Sequence, residues 1–216
     1  MEELTENYNK REFWIRENTL YAEPNFRLKR CAQLLNEEAQ GRRCDLLDVG
    51  CGPATLRRLL DSNINYYGVD IALHQSAPYL VEADFVQNKI AFEDKRFDIV
   101  VALGVFEYMG RYQSQKFAEV TRILNRDGKF MMYYINFRHF RRTIYPIYNN
   151  VQSITELRKS LQQVFQLEHC FPVSHHWRHK QPGRNASALQ MHRKCGIPFV
   201  SSWLAVEYFF ICSRRT

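Results

Sequence analysis

The sequence lacks any apolar run of about 18 residues, the length a helix needs to cross a bilayer, so no transmembrane helix is expected. It also lacks internal repeats and low-complexity linkers, and its acidic, polar first residues are unlike a signal peptide. Since 45% of the 216 residues are apolar, the chain is long enough to bury one sizeable core. These features predict a single cytoplasmic domain.

No Cys-x-x-Cys pair is present, although the chain has six cysteines. They are scattered at Cys31, Cys44, Cys51, Cys170, Cys195 and Cys212. Two of them lie in apolar, strand-like runs. We therefore expect reduced thiols, with neither disulfides nor a zinc site.

Negative charge is scarce in the last third of the chain. From Tyr133 onward there are 12 Lys and Arg but only three Asp and Glu, and six of the seven histidines lie there. The first 132 residues carry a net charge of −2. The basic end is either a solvated surface or a region that attracts an anionic substrate or surface.

A glycine turn is the most informative motif. Residues 46–54 read Leu-Leu-Asp-Val-Gly-Cys-Gly-Pro-Ala, which predicts a buried strand, a tight turn at Gly50–Gly52 and a helix over 55–61. Glycines let the backbone approach a ligand closely, and a helix start aims N–H groups at it. The motif predicts a nucleotide-like cofactor.

Strand and helix patterns alternate along the chain, and this predicts a doubly wound α/β sheet with helices on both faces. No helix is indicated between the last two strands, so we expect an antiparallel, hairpin-like finish. Strands are predicted over 45–49, 66–69, 80–83, 97–103, 129–135, 165–173 and 203–212, with helices over 25–38, 55–61, 114–124 and 153–164 and a turn over 125–128.

Polar groups stand where the predicted parallel strands end, which is where open α/β sheets bind ligands. Asp70 ends the second strand, and a carboxylate there can accept hydrogen bonds from two ribose hydroxyls. Asp84 and Phe85 follow the third strand and suit an adenine amino group and ring. The fourth strand ends in Leu103-Gly104-Val105-Phe106-Glu107-Tyr108. Together these ends predict an adenine nucleoside site.

These segments resemble the class I S-adenosylmethionine-dependent methyltransferases. The resemblance covers roughly residues 25–137, and it implies a Rossmann-like sheet of seven strands whose last strand is antiparallel. The strand-four end resembles the small-molecule and lipid branch of that family. The matching segments are residues 45–54, 67–70, 83–85, 97–108 and 119–130.

The resemblance implies roles for individual residues. Those expected to bind the cofactor are Asp48, Gly50, Cys51, Gly52, Asp70, Ile71, Asp84, Phe85, Leu103 and Gly104. The glycine turn and Asp48 would line the methionine part, Asp70 the ribose, and Asp84 with Phe85 the adenine. Ala54 stands where the family often has a third glycine, a departure that a small methyl group should tolerate.

Two other hypotheses remain at this stage. An NAD-dependent oxidoreductase would use Asp70 equally well, but the dinucleotide motif requires Gly or Ala where this chain has Thr55. No catalytic domain for such an enzyme is evident. The second alternative is a non-catalytic S-adenosylmethionine-binding protein or partner subunit with the same fold.

The acceptor side is expected at the same edge of the sheet. The single domain would comprise an N-terminal cap over 1–24, a cofactor-binding core over 25–137, and acceptor-side loops over 138–150 and 175–202. A general base is needed only for a hydroxyl, an acidic carbon or a protonated amine. Candidate catalytic residues are His139, His176 and Glu107, and candidate substrate-binding residues are Tyr108, Arg138, His175 and His179.

The acceptor itself is less well defined. Residues 138–148 mix cations with aromatic groups, a pattern that suits an anionic or lipid-like acceptor, peripheral contact with a membrane, or single-stranded nucleic acid. Nucleic acid is disfavoured because strand four lacks an Asn/Asp-Pro-Pro-Tyr motif. No metal is expected, although three histidines within 175–179 leave that alternative open. We expect methyl transfer to a small-molecule or lipid-like acceptor, at an oxygen atom in preference to carbon or nitrogen.

Overall fold

The computed structural model describes residues 11–17, 21–136, 152–174 and 207–215. Their elements are α1 (Arg11–Glu17), α2 (Phe26–Ala39), β1 (Cys44–Val49), β2 (Ile64–Asp70), β3 (Leu80–Glu82), β4 (Phe97–Leu103), α3 (Gln113–Ile123), β5 (Leu124–Ile135), α4 (Ile154–Val164), β6 (Phe165–Ser174) and β7 (Glu207–Arg214).

All seven strands form one sheet in the order β3-β2-β1-β4-β5-β7-β6. Strands β1 to β5 pair in parallel, whereas β7 is antiparallel to both β5 and β6. Strand β6 therefore runs parallel to the first five. This topology confirms the predicted fold class and the antiparallel finish, and it brings the start of β7 to the carboxyl edge of β5.

Both faces of the sheet are covered because the strands are apolar on both sides. In β4, Val100 and Ala102 pack on one face, whereas Ile99 and Val101 pack on the other. Helix α2 covers the second of these faces, and α3 and α4 cover the first. Burial on both faces is typical of a parallel sheet, so the rigid sheet can hold a site at its edge.

Two local predictions were wrong. The helix expected over 55–61 is a 3-10 turn over Thr55–Leu59, because the chain reverses into β2 within a few residues and leaves no length for an α-helix. The turn expected over 125–128 lies inside β5. Phe97 pairs with Leu124 and Ile99 with Lys129, so the intervening residues form a bulge in one continuous strand.

Caps fix where two helices begin. The Asn25 side chain accepts a hydrogen bond from the Leu28 backbone at 3.0 Å at the start of α2. Ser153 and Glu156 form a capping box at the start of α4. Among the described helices, none is long and apolar enough to cross a membrane.

Candidate active site

The glycine turn after β1 is a tight backbone loop against the end of β4. Gly50 has a φ of +75°, and a Cβ added there would lie 2.3 Å from Cγ2 of Val105. The backbone N–H groups of Gly50 and Cys51 both donate to the Val69 carbonyl, at 2.8 and 3.2 Å. Only glycine fits this position, because both the space and the backbone angle exclude a side chain.

Ala54 ends this loop in a left-handed conformation, with φ +54° and ψ +32°. Its backbone N–H donates to the Cys51 carbonyl at 2.9 Å, and its methyl group is buried. A left-handed conformation disfavours an L-residue by about 1–2 kcal/mol. The structure thus gives a physical reason for the third glycine of the resembled family, and the loop keeps its shape with alanine.

Asp70 connects the end of β2 to the glycine turn. Its Oδ2 accepts from the Gly52 backbone at 2.8 Å, and its Oδ1 accepts from the Ala72 backbone at 2.9 Å. Burial raises the pKa of this carboxyl, against the opposing effect of those backbone hydrogen bonds. A carboxylate oxygen has lone pairs beyond one hydrogen bond, so Asp70 can still accept from a ligand.

Asp48 lies at the base of the loop and is almost fully buried. The Tyr66 hydroxyl donates to its Oδ2 at 2.8 Å. Burial raises the pKa of Asp48 to about 7, and the nearby Asp70 carboxylate acts in the same direction. Two acidic groups therefore face one small space, which favours a ligand that carries positive charge.

Asp84 combines a turn role with a place at the ligand edge. Its Oδ1 accepts from the backbones of Val86 and Gln87, at 3.0 and 3.3 Å. No hydrogen bond to Oδ2 exists within the described part of the chain. The Phe85 ring beside it is buried against the sheet, so a polar acceptor and an aromatic ring lie side by side after β3.

The segment before α2 is fixed over the glycine turn. The Thr55 hydroxyl donates to the Tyr21 carbonyl at 2.6 Å, and the Arg58 guanidinium donates to the Ala22 carbonyl. Helix α1 also reaches this region, where the Trp14 ring meets the Tyr108 ring edge-on with centroids 5.2 Å apart. The N-terminal part of the chain thus supplies a wall of the site.

A cluster of charged and polar side chains borders the candidate site next to the end of β5. Arg27, in the first turn of α2, donates from Nη1 to Oε1 of Glu207 at 3.2 Å. The Tyr133 hydroxyl donates to Oε2 of Glu207, and the Arg27 guanidinium lies 5.4 Å from the Tyr133 ring centroid. Burial lowers the pKa of Arg27, but the Glu207 and Tyr133 charges outweigh it and raise the pKa overall.

Glu107 lies beneath the end of β5. Its Oε1 accepts from the Ile135 backbone at 2.8 Å, while its buried Oε2 has no hydrogen-bond partner among the described residues. Burial raises the pKa of Glu107 to about 7. Its described contact holds the strand end in place.

A cavity of about 230 Å³ lies among these groups at the carboxyl edge of the sheet. All ten residues predicted to bind a cofactor line it, together with Tyr108. Glu107 is not among the lining residues. The other predicted acceptor-side residues lie outside the described part of the chain: Arg138, His139, His175, His176 and His179.

The cavity also has lining residues that the sequence did not indicate. They include Trp14, Tyr21, Asn25, Arg27, Tyr133 and Ile135. Tyr133 and Ile135 could have been inferred from the hairpin finish, since the end of β5 and the start of β7 must share this edge. Arg27 had no such signal, because its α2 segment reads as an ordinary amphipathic helix.

Comparison with known proteins agrees with this geometry. Residues 47–132 match the family model described as "Methyltransferase domain". The match runs from β1 into β5 and so contains all four strand ends that line the cavity. The comparison with curated proteins found no match.

Several solved structures share the fold. The (4+2)-cyclase SpnF is 17% identical, with a TM-score of 0.61 over 87% of this chain and 81% of that one. The N-methyltransferase NodS from Bradyrhizobium japonicum WM9, in complex with S-adenosylhomocysteine, is 13% identical, with a TM-score of 0.61 over 96% and 100%. The Burkholderia thailandensis 1,6-didemethyltoxoflavin-N1-methyltransferase, with its substrate and S-adenosylhomocysteine bound, is 14% identical, with a TM-score of 0.57 over 88% and 79%.

At these identities the solved structures establish the fold alone. The fold and the family match together define a class I methyltransferase domain. Residues 47–132 thus match the methyltransferase domain that the motif resemblance predicted, and the match and the fold together support an S-adenosylmethionine-dependent methyltransferase. The family match favours this conclusion over the dinucleotide hypothesis.

Proposed function

We propose that this protein transfers the methyl group of S-adenosylmethionine to a small-molecule acceptor at the cavity beside the glycine turn. The observation that carries the proposal is the convergence of four strand ends on one cavity. Each end supplies a group that suits a different part of an adenosyl amino acid. An unrelated ligand would not require this combination.

The cofactor fits the residues present. Asp70 would hold the ribose, since both of its oxygens retain lone pairs for hydroxyl groups. Asp84 and Phe85 would hold the adenine, and Asp48 with the Gly50–Gly52 loop would hold the amino-acid part. Because Gly50 has no side chain, the turn packs closely against Val105 at the end of β4.

When bound, the cofactor supplies an electrophilic methyl group on a positively charged sulfur. The chain contributes positioning and electrostatics. Asp48 and Asp70 favour a cation over a neutral thioether, so they stabilise the substrate form of the cofactor relative to the product form. Glu107 fixes the end of β5, which contributes Tyr133 and Ile135 to the cavity lining.

We place the acceptor against the aromatic wall of the cavity. Trp14 and Tyr108 form an edge-to-face pair there, which suits a planar or apolar acceptor. The acceptor atom stays a prediction. Oxygen was expected from the sequence, whereas two of the similar structures are of proteins named as N-methyltransferases. The base roles of His139 and His176, and the acceptor contacts of Arg138, His175 and His179, also stay predictions.

Calorimetry with S-adenosylmethionine, S-adenosylhomocysteine and NAD tests the cofactor. We expect binding of the first two and none of NAD. Transfer is then measured with radiolabelled S-adenosylmethionine and a metabolite extract freed of protein and nucleic acid, followed by separation of the labelled product. Absence of binding to both adenosyl ligands would refute the proposal.

A second candidate is a protein that uses this fold and cofactor without methyl transfer. The structural similarity to the cyclase SpnF supports this second candidate, because a protein of the same fold is named for a reaction other than methylation. The transfer assay separates the two: bound cofactor with no labelled product over many acceptor pools would support the second candidate.

A further inference from the structure

Arg27 is the one cation among the described side chains that line the cavity. The other charged lining groups are the carboxylates Asp48, Asp70 and Asp84. The amino-acid part of the cofactor carries its only anionic group, and that group would be repelled by Asp48 and Asp70. We propose that Arg27 binds the cofactor carboxylate and that Glu207 and Tyr133 orient its guanidinium. The inference rests on the proposed function.

The position of Arg27 supports this assignment. A Cβ built on Gly104 would lie 4.0 Å from Nη1 of Arg27, so the guanidinium stands against the end of β4. The glycine turn packs against the same strand end, through Gly50 and Val105. Arg27 and the glycine turn therefore line the cavity at one strand end.

Arg27 retains donors for a ligand. Its hydrogen bond to Glu207 uses Nη1, and no described residue accepts from its Nε or Nη2. A guanidinium has five N–H donors in a planar fork that matches a carboxylate. The ion pair with Glu207 and the contact with the Tyr133 ring thus fix the plane of the Arg27 guanidinium. The N–H donors on Nε and Nη2 stay available to a ligand.

A positive charge at the position of Arg27 lowers the stability of the fold unless other groups compensate for it. A cation in the first turn of a helix opposes the helix dipole, and the Arg27 side chain is only 33% exposed. Glu207 offsets this cost, but it is itself buried and comes from the far end of the chain. The Tyr133 hydroxyl holds the second oxygen of Glu207. Glu207 and Tyr133 thus hold the Arg27 guanidinium in a fixed position at the cavity wall.

The test compares two ligands that differ only in the carboxylate, S-adenosylmethionine and decarboxylated S-adenosylmethionine, by calorimetry on the full chain. Arg27→Lys keeps the charge but lacks the fork. The double variant Arg27→Gln/Glu207→Gln removes the ion pair without leaving a buried charge. We expect the double variant to bind S-adenosylmethionine about 10-fold to 100-fold more weakly, with little change for the decarboxylated ligand. Arg27→Lys should give an intermediate loss.

The positioning role of Glu207 is tested by Glu207→Gln alone, which should reduce the preference for the carboxylate-bearing ligand while Arg27 is retained. Arg30→Gln, one turn further along α2, is the matched control and should leave the preference at the wild-type level. Equal weakening of both ligands, or an unchanged preference in the double variant, would overturn the inference. Failure of the wild-type protein to bind either ligand would instead refute the proposed function.

Discussion

At the scale of single residues, Asp70 connects the fold to the candidate cofactor site. The carboxylate holds the Gly52 and Ala72 backbones and lines the cavity at the same time. Its position at the end of a parallel strand was predictable from sequence, because the apolar run stops there. Its two backbone partners were not, because they depend on how the glycine turn folds back on β2.

We expect Asp70→Asn to weaken binding of S-adenosylhomocysteine by about 10-fold to 100-fold, since hydrogen bonds to a charged acceptor contribute about 1.5–3 kcal/mol. Calorimetry measures the change. Asp127→Asn, at an exposed position of the β5 bulge, is the control and should bind normally. Near-normal affinity in Asp70→Asn would contradict the ribose role.

Ala54 gives a second prediction at this scale. Ala54→Gly relieves a left-handed conformation but loses a buried methyl group and frees the unfolded chain. These effects nearly cancel, so the free energy of unfolding should stay within about 1 kcal/mol of the wild type. Ala32→Gly, at a buried position within helix α2, should cost about 2 kcal/mol. Urea unfolding compares them, and equal losses would argue against strain at Ala54.

At the scale of elements, the strands were the most predictable part. β4 has the predicted limits because its residues are apolar on both faces, with Arg96 directly before it and Gly104 directly after it. The 3-10 turn after the glycine loop was not predictable, since Thr55–Leu59 has a helical pattern and only the short path to β2 limits it. The β5 bulge was misjudged because turn-forming residues also form bulges.

The shape of the candidate site depends strongly on the glycine turn. Gly50→Ala should destabilise the fold by about 2–4 kcal/mol, because overpacking and a positive φ both oppose a Cβ there. It should also abolish measurable binding of S-adenosylhomocysteine.

Adding Val105→Ala to Gly50→Ala removes the steric part of the cost but not the backbone part, so we expect partial recovery of stability. Urea unfolding of both single variants and the double variant measures this coupling. Strict additivity of the two single changes would show that contact between these residues is not the cause.

At the scale of the whole molecule, buried carboxylates make stability depend on pH. Burial raises the folded-state pKa of Glu107 from 4.5 to about 7. Its contribution is fully present below the unfolded pKa and is lost as pH rises through the folded one. Relative to the wild type, Glu107→Gln should therefore gain roughly 1–3 kcal/mol of unfolding free energy between about pH 4.5 and pH 7.

Glutamine can still accept the Ile135 hydrogen bond through its amide oxygen, so the strand end should hold. Urea titrations at several pH values give the comparison, with Glu93→Gln at an exposed position as the control. A pH-independent difference between Glu107→Gln and the wild type would mean that Glu107 ionises in the folded protein much as it does in the unfolded chain.

The sequence by itself determined the α/β class and the antiparallel finish, and with the family resemblance it named ten residues that line the cavity. It could do so because these signals lie in short segments of the chain: an apolar run, a glycine turn, and an acidic residue where a strand stops. The tertiary structure alone decided which distant groups join them. Arg27 and Glu207 are 180 residues apart and meet only because β7 inserts between β5 and β6. Their pairing depends on strand order, which no local pattern encodes.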